Sequence, residues 1–511
     1  MKKAFKTIFI YIGVLLLALL ATVIFCAGFL FFYREGNIFG IQYIKKDEII
    51  QAADNEDMSD IQKIEVIGDV FDVRVRINPN VDTLKGAMQN RVFGYAKKSK
   101  AQASFSMEYD EVLKTAVFKS VEPKGWLSKK NCFIEIAIPT DWAEKEIDLV
   151  VKTKKGDIKI GNDKLLLLGD ITAESSKGDV SVANISINGN IDLKIGSGTA
   201  VIDDNCSSSG VDAIVSVGSG KIDFSKLNTD NFILDVVEVE SIKRGKIWIK
   251  KANEIITNEN IGGGGKIEIA EIGSVDFTSL DTDISINKII GGGSSRINIT
   301  GQGDVWVNTV LGDLNIDGYN GDVYVNTVSG FSSLSTNQGD IKMEGALKLV
   351  SADSVYGNIE ILFSSQALDY TNINPENRAV VATTKNGHII VKGLQNGHIN
   401  ATGNGRITLE YNRIVGDNKI SAQSGAINIV VPNSTDTTPA NKYAFNLKLY
   451  SEVNTDIKVG VVGSLGQVDF SESGDKTFNN IYNSASSTSN NLDVSSTTGI
   501  IKIRSADLIG Y

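Results

Sequence analysis

Residues 303–330 read GDVWVNTVLGDLNIDGYNGDVYVNTVSG, and the architecture of the chain follows from them. Glycine recurs at 303, 312, 321 and 330 and again at 339 and 357, with Lys348 in the one missed slot. A nine-residue unit holds one short strand and one turn, too little for a crossover helix. Within each unit apolar and polar residues alternate, the period of a strand buried on one face. Val305/Val307, Leu314/Ile316, Val323/Val325, Ile341/Met343 and Ile359/Ile361 are expected to face inward. Trp306, Asn315, Tyr324, Lys342 and Glu360 are expected to face outward. Strands this short pair in parallel by stacking successive coils. Two strands per coil give about 18 residues and a rise of about 4.8 Å per turn. Glycine at each turn is expected to supply positive φ, and the Asp or Asn beside it to satisfy local backbone groups.

The same phrase, glycine then a polar residue then apolar–any–apolar, recurs outside this window. It appears as GDIKI at 156, GDVSV at 178, GKIDF at 220, GKIWI at 245 and GKIEI at 265, and later as GHIIV at 387, GRITL at 405 and GAINI at 425. Repetition of this kind marks a solenoid. Residues 61–150 also alternate, as in VFDVRVRI and CFIEIAIP, with KGAMQNRVFGYAKKSK (85–100) expected as a polar loop. After Pro432 the style changes to NSTDTTPANK, read as a linker, and then to a Ser/Asn/Thr-rich tail. The expected division is 1–34 for a cytoplasmic tail and transmembrane helix, 35–60 for a juxtamembrane stalk and 61–150 for an N-terminal β cap. Solenoid repeats then fill 151–432, and a C-terminal β-rich cap 433–511. The expected fold is an all-β parallel β-solenoid preceded by one N-terminal transmembrane helix.

That helix rests on residues 7–33, TIFIYIGVLLLALLATVIFCAGFLFFY, which carry no charge. They exceed the roughly 20 residues that cross a bilayer core and the apolar core of a cleaved signal. Lys2, Lys3 and Lys6 precede them, so the N-terminus is expected in the cytoplasm and the bulk of the chain outside it. Phe25 before Cys26 disfavours a lipidation site, which wants a small residue there.

Composition narrows the function. Lys+Arg number 51 against 61 Asp+Glu, for a net charge of −10, and no basic run offers a nucleic-acid face. Three cysteines match no metal spacing, and pairing of Cys132 with Cys206 is left open. The two histidines, His388 and His398, sit in GH turns ten apart and read as polar turn residues. Asp203–Asp204 and Asn228-Thr229-Asp230 are the strongest candidates for carboxylate chemistry on such a scaffold, but turn roles account for them better. The segments IGGGGKIEIA and IIGGGSSRINI lack the aspartates of calcium-binding nonapeptides. No catalytic residue, metal or cofactor is expected. Trp306 and Tyr324, 18 apart, should stack on one outward face, with Trp248 outward in its own strand. Exposed aromatics of this kind hold sugars or protein partners, or simply brace the sheet.

Three stretches resemble the bacterial putative adhesin domain family with β-strand repeats: IQKIEVIGDVFDVRVRIN, CFIEIAIPTDWAEKEIDLVVKTKKGDIKIGN and the 303–330 body. The resemblance covers roughly residues 61–430 and implies an interaction or structural role without catalytic residues. The expectation is a membrane-anchored, surface-exposed, adhesin-like protein and not an enzyme. Its partners would be the lipid bilayer through residues 7–33 and a cell-envelope polymer or protein. A polysaccharide-acting β-helix enzyme and a self-assembling envelope scaffold are the alternatives.

Overall fold

A computed structural model describes residues 2–33, 41–52, 58, 60–129, 131–161, 165–257, 263–363, 379–432, 445–451, 457–461, 466–470, 474–481 and 490–505. The 433–442 linker and most of the 35–60 stalk therefore lie outside the described residues, apart from a strand Ile41–Gln51. The chain divides into two compact units, residues 1–188 and 189–511. A parallel β-solenoid of about 12 turns forms the body.

In the second unit the coils build two parallel stacks, each coil adding one row to both, as a single continuous strand in Lys246–Ile256 and Lys266–Ser279 and as two separate strands from residue 283 to 431. The first sheet stacks Asp283–Ile289, Val305–Val310, Val323–Val328, Ile341–Ala346, Ile359–Phe363, Ile389–Leu394, Ile407–Tyr411 and Ile427–Val431. The second stacks Ser294–Gln302, Asp313–Asn320, Ser332–Gln338 and their successors to Asp417–Ala422. Val305 lies opposite Val323 and Val323 opposite Ile341, so the coil is two strands and 18 residues where the sequence runs without insertion. All ten positions expected inward are at most 2% exposed. Each buried branched aliphatic is worth about 1.5–3 kcal/mol relative to exposure, and this repeated burial is what the alternation encodes.

The turn glycines are required for a reason other than the one expected. None of Gly303, Gly312, Gly321, Gly330, Gly339 or Gly357 has positive φ. Instead they stack: a Cβ on Gly321, Gly339, Gly387 or Gly405 would stand 1.7–2.1 Å from the carbonyl oxygen of the glycine one coil before it. The corner has no room for any side chain. Buried hydroxyls three residues ahead complete it. Ser354 Oγ accepts the Gly357 N–H (2.8 Å) and donates to Gly339 O (3.0 Å). Thr384 does the same between Gly387 and Gly357.

The aspartate after the glycine serves the next coil, not its own. The Asp322 N–H donates to Asp304 Oδ1 (2.9 Å), the Asp340 N–H to Asp322 Oδ1 (2.9 Å) and the Asn358 N–H to Asp340 Oδ1 (2.8 Å). The ladder continues with the His388 N–H on Asn358 Oδ1 and the Arg406 N–H on His388 Nδ1 (3.0 Å). His388 thus substitutes for the aspartate as an acceptor, in agreement with a turn role. The first unit repeats the device through Asp72, Asp157 and Asp179. Asp322→Asn is expected to leave stability unchanged, because Asn358 already fills the equivalent rung. Asp322→Ala, which strands the Asp340 N–H, should cost about 1 kcal/mol. Paired urea titrations of the two variants check this, and equal midpoints would remove the ladder's role.

Both units end with coils out of sequence order. In the second unit the last strands, Asn491–Ser496 and Ile501–Ser505, pair with Asp417–Ala422 and Ile427–Val431 on one side. On the other side they pair with the earlier Phe445–Ser451 and Ile457–Val461. Antiparallel strands Gly474–Ile481 and Gly466–Phe470 then cover that outermost coil. In the first unit, Lys63–Gly68 and Asp72–Ile77 lie between the later strands Thr115–Val121 and Phe133–Ile138 and the coil begun by Ile147–Thr153. Antiparallel Ser104–Asp110 and Lys85–Lys97 cover the outer side. Ending a parallel stack in this way pairs edges that would otherwise attract another chain. Residues 85–97, expected as a loop, are this covering strand. Its inward positions Gly86, Met88, Asn90 and Val92 are buried, and Asn90 Nδ2 donates to Glu48 (2.9 Å).

The N-terminal expectation needs correction. Lys2–Tyr33 form a helix. Among the described residues no helix is long and apolar enough to cross a membrane. This finding overturns the single-pass anchor over 7–33 and the extracytoplasmic placement drawn from it.

Candidate functional site

The outward face of the first sheet carries the three aromatic residues singled out by the alternation. Trp306 lies opposite Tyr324, which lies opposite Lys342, which lies opposite Glu360. Going the other way, Trp306 lies opposite Ser285, then Glu268, then Trp248. All three aromatics therefore share one column. Trp248 is three rungs from Trp306, about 14 Å at the usual strand spacing, so the structure brings Trp306 and Tyr324 together and leaves Trp248 apart.

The environments differ. The Trp248 ring is flanked by Lys221 Nζ at 4.9 Å and Lys246 Nζ at 5.8 Å from its centroid. These ammonium groups bond in turn to Asp223 and Glu268, each at 2.5 Å. The Lys246 hydrogen bond, with further help from Lys266, holds the Glu268 carboxyl below the usual range. Trp248 is thus engaged by cation–π contacts. Trp306 is 57% exposed. Although in register with Tyr324, it forms no ring pair with it among the described residues. The bracing role weighed for these aromatics thus belongs to Trp248 more than to Trp306.

Tyr324 is fixed by a hydrogen bond from its hydroxyl to Asp322 Oδ2 (3.0 Å). That bond, with burial and the charges of Asp322, Asp340 and Asp304, pushes the phenol above its ordinary pKa. A second column runs beside the aromatics. Asn326 Nδ2 donates to Asn308 Oδ1 (2.8 Å) and Asn308 Nδ2 to Asn287 Oδ1 (2.9 Å). Lys342 Nζ reaches Glu344 Oε1 at 2.8 Å. Trp306, Asn308, Tyr324, Asn326, Lys342 and Glu344 line a shallow hollow of about 270 Å³. Sequence reading found the aromatics and missed the asparagines, whose signal was the identical VNT directly after Trp306 and after Tyr324.

The residues weighed for chemistry have local structural duties. Asn228 Oδ1 accepts the Asp230 N–H (3.2 Å), closing a turn, and Asp203 faces Lys226 at 3.7 Å. His398 Nε2 lies 3.2 Å from the Asp417 carbonyl. Ile261 and Gly262 of the first glycine-rich segment lie outside the described residues. Among the described residues no group of three or more His, Cys, Asp or Glu is placed to hold a metal ion. Cys132 and Cys206 are both buried and form no disulfide with each other. Cys132 Sγ instead bonds to the backbone of Arg91.

No family model matches the chain, and no curated protein matches it. Among solved structures, a crystal structure of a putative cell adhesion protein from Clostridium sporogenes is similar over 90% of this chain and 100% of its own, at 11% identity and a TM-score of 0.14. A superposition that loose establishes no common fold. The adhesin resemblance seen in the repeats thus has no family-model match behind it.

Proposed function

We propose that this chain is an adhesin-like binding protein whose ligand lies across Trp306 and Tyr324 on the first sheet of residues 189–511. The observation that carries the reading is Trp306 itself. A large ring 57% exposed, on a rigid strand and beside a lined hollow, has the composition and setting of an interface anchor. Rigid strands present such groups at little entropic cost on binding. The reading is non-catalytic, since the carboxylates and histidines best placed by sequence are committed to turns and coil-to-coil hydrogen bonds.

The full chain is expected to be retained on isolated cell-envelope material. Trp306→Ala should weaken retention about tenfold, equivalent to ~1.4 kcal/mol. The Trp306 side chain leaves the core untouched, so the circular dichroism melt of the variant should match the parent. Tyr356→Ala, at another exposed aromatic (54%), should bind normally. Undiminished retention of Trp306→Ala would refute the site.

A further inference from the structure

We propose that the ligand is a neutral glycan, its sugar rings laid on Trp306 and Tyr324 and its hydroxyls bonded to the amides of Asn308 and Asn326. This rests on the binding reading above and adds the chemical class. Three features of the face select it.

The first is the amide ladder. A carboxamide has two N–H donors and two acceptor lone pairs. Asn308 spends one N–H on Asn287 and one lone pair on Asn326, and Asn326 spends one N–H on Asn308. The ladder fixes the amide planes and leaves a donor and an acceptor unspent on each group, both side chains lining the hollow. A sugar hydroxyl, which both donates and accepts, matches that pair of functions. A phosphate or carboxylate, acceptor only, matches half of it.

The second is charge. Asp304, Asp322 and Asp340 stand in the neighbouring ladder and take part in no ion pair with lysine or arginine among the described residues. The single ammonium in the hollow, Lys342, is held by Glu344 with Glu360 beside it, and both raise its pKa. The local field is negative, so a polyanion would be repelled. The third is period. Aromatic and amide columns both advance one rung per coil, Trp306 to Tyr324 and Asn308 to Asn326, about 4.8 Å each. A polymer of similar rings running along the stack meets the same pair of groups at consecutive units. The weakly polar C–H face of a pyranose suits an aromatic face.

The test uses the full chain in affinity electrophoresis through gels containing dextran, laminarin or galactan, with heparin as polyanion and chitosan as polycation. Retardation by at least one neutral polysaccharide is expected. Trp306→Ala should weaken it about tenfold. Asn326→Gln, which keeps an amide but displaces it from the ladder, should weaken it several-fold with an unchanged melt. Retardation by heparin or chitosan alone, or by none of the five, would overturn the glycan assignment. If Trp306→Ala still reduced retention on envelope material in that case, the binding site itself would stand. Neutral-glycan retardation indifferent to both substitutions would instead remove the site.

Discussion

Gly357→Ala is expected to destabilise the second unit by about 3 kcal/mol or more, while Gly292→Ala changes it by no more than about 0.5 kcal/mol. Gly357 opens a repeat phrase, whereas Gly292 is the middle of the run Gly291–Gly293. A Cβ on Gly357 would stand 1.6 Å from Gly339 O and 2.3 Å from Gly339 C, both backbone atoms, whereas one on Gly292 meets nothing within 4 Å. Backbone cannot rotate aside as a side chain does, so the coil must lift and break hydrogen bonds on both sides. Because stability in a stacked array is a sum of neighbour terms, the damage should be local. Hydrogen exchange would show lost protection in Ile341–Ala346 and Ile359–Phe363, with the coils of residues 407–431 little changed. Equal urea midpoints for Gly357→Ala and the parent would refute the stacked-corner account.

Asn418→Leu should cost a comparable amount, about 3 kcal/mol. Asn418 is fully buried. Its Oδ1 accepts the Gly397 N–H (2.8 Å), and its Nδ2 lies within bonding distance of Val415 O, Gly416 O and Asn491 O. One amide therefore ties three chain segments, one of them more than seventy residues away. Leucine fills the volume and strands the Gly397 N–H in the core. Asn418→Asp should be almost as harmful, since a carboxylate has no N–H to offer the surrounding carbonyls. The expected signature is faster amide exchange in Asn491–Ser496 before any change in the coils of residues 305–346. Coincident loss across the unit would show that Asn418 does not act through that coil.

How much of this was legible beforehand differs by element. The inward set from Val305 to Ile361 was readable because alternation is local and needs no knowledge of neighbours. The 18-residue register of Trp306 on Tyr324 was readable because that stretch has no insertion. The column through Trp248 was not, since the coils between it and Trp306 vary in length. The glycines were located correctly and explained wrongly, because the clash that selects them comes from a carbonyl one coil away. The GD pairs were equally visible, yet their acceptor role for the next coil, and His388 as their equivalent, depends on register. The swapped coils at 63–77 and 491–505 left no local trace, since pairing with a distant segment imposes no pattern of its own. The N-terminal run 7–33 does form a helix, but among the described residues no helix is long and apolar enough to cross a membrane.

The out-of-order coil has a mechanical consequence. Had the stack ended in sequence order, tension on the chain beyond residue 505 would peel the outermost coil, opening its hydrogen bonds one at a time. Instead Ile501–Ser505 is clamped on both flanks, by Ile427–Val431 and by Ile457–Val461. A pull transmitted through it loads two rows of bonds together and must drag an interior layer from between its neighbours. A layer held on both flanks resists being stripped away more than a coil paired on one side would.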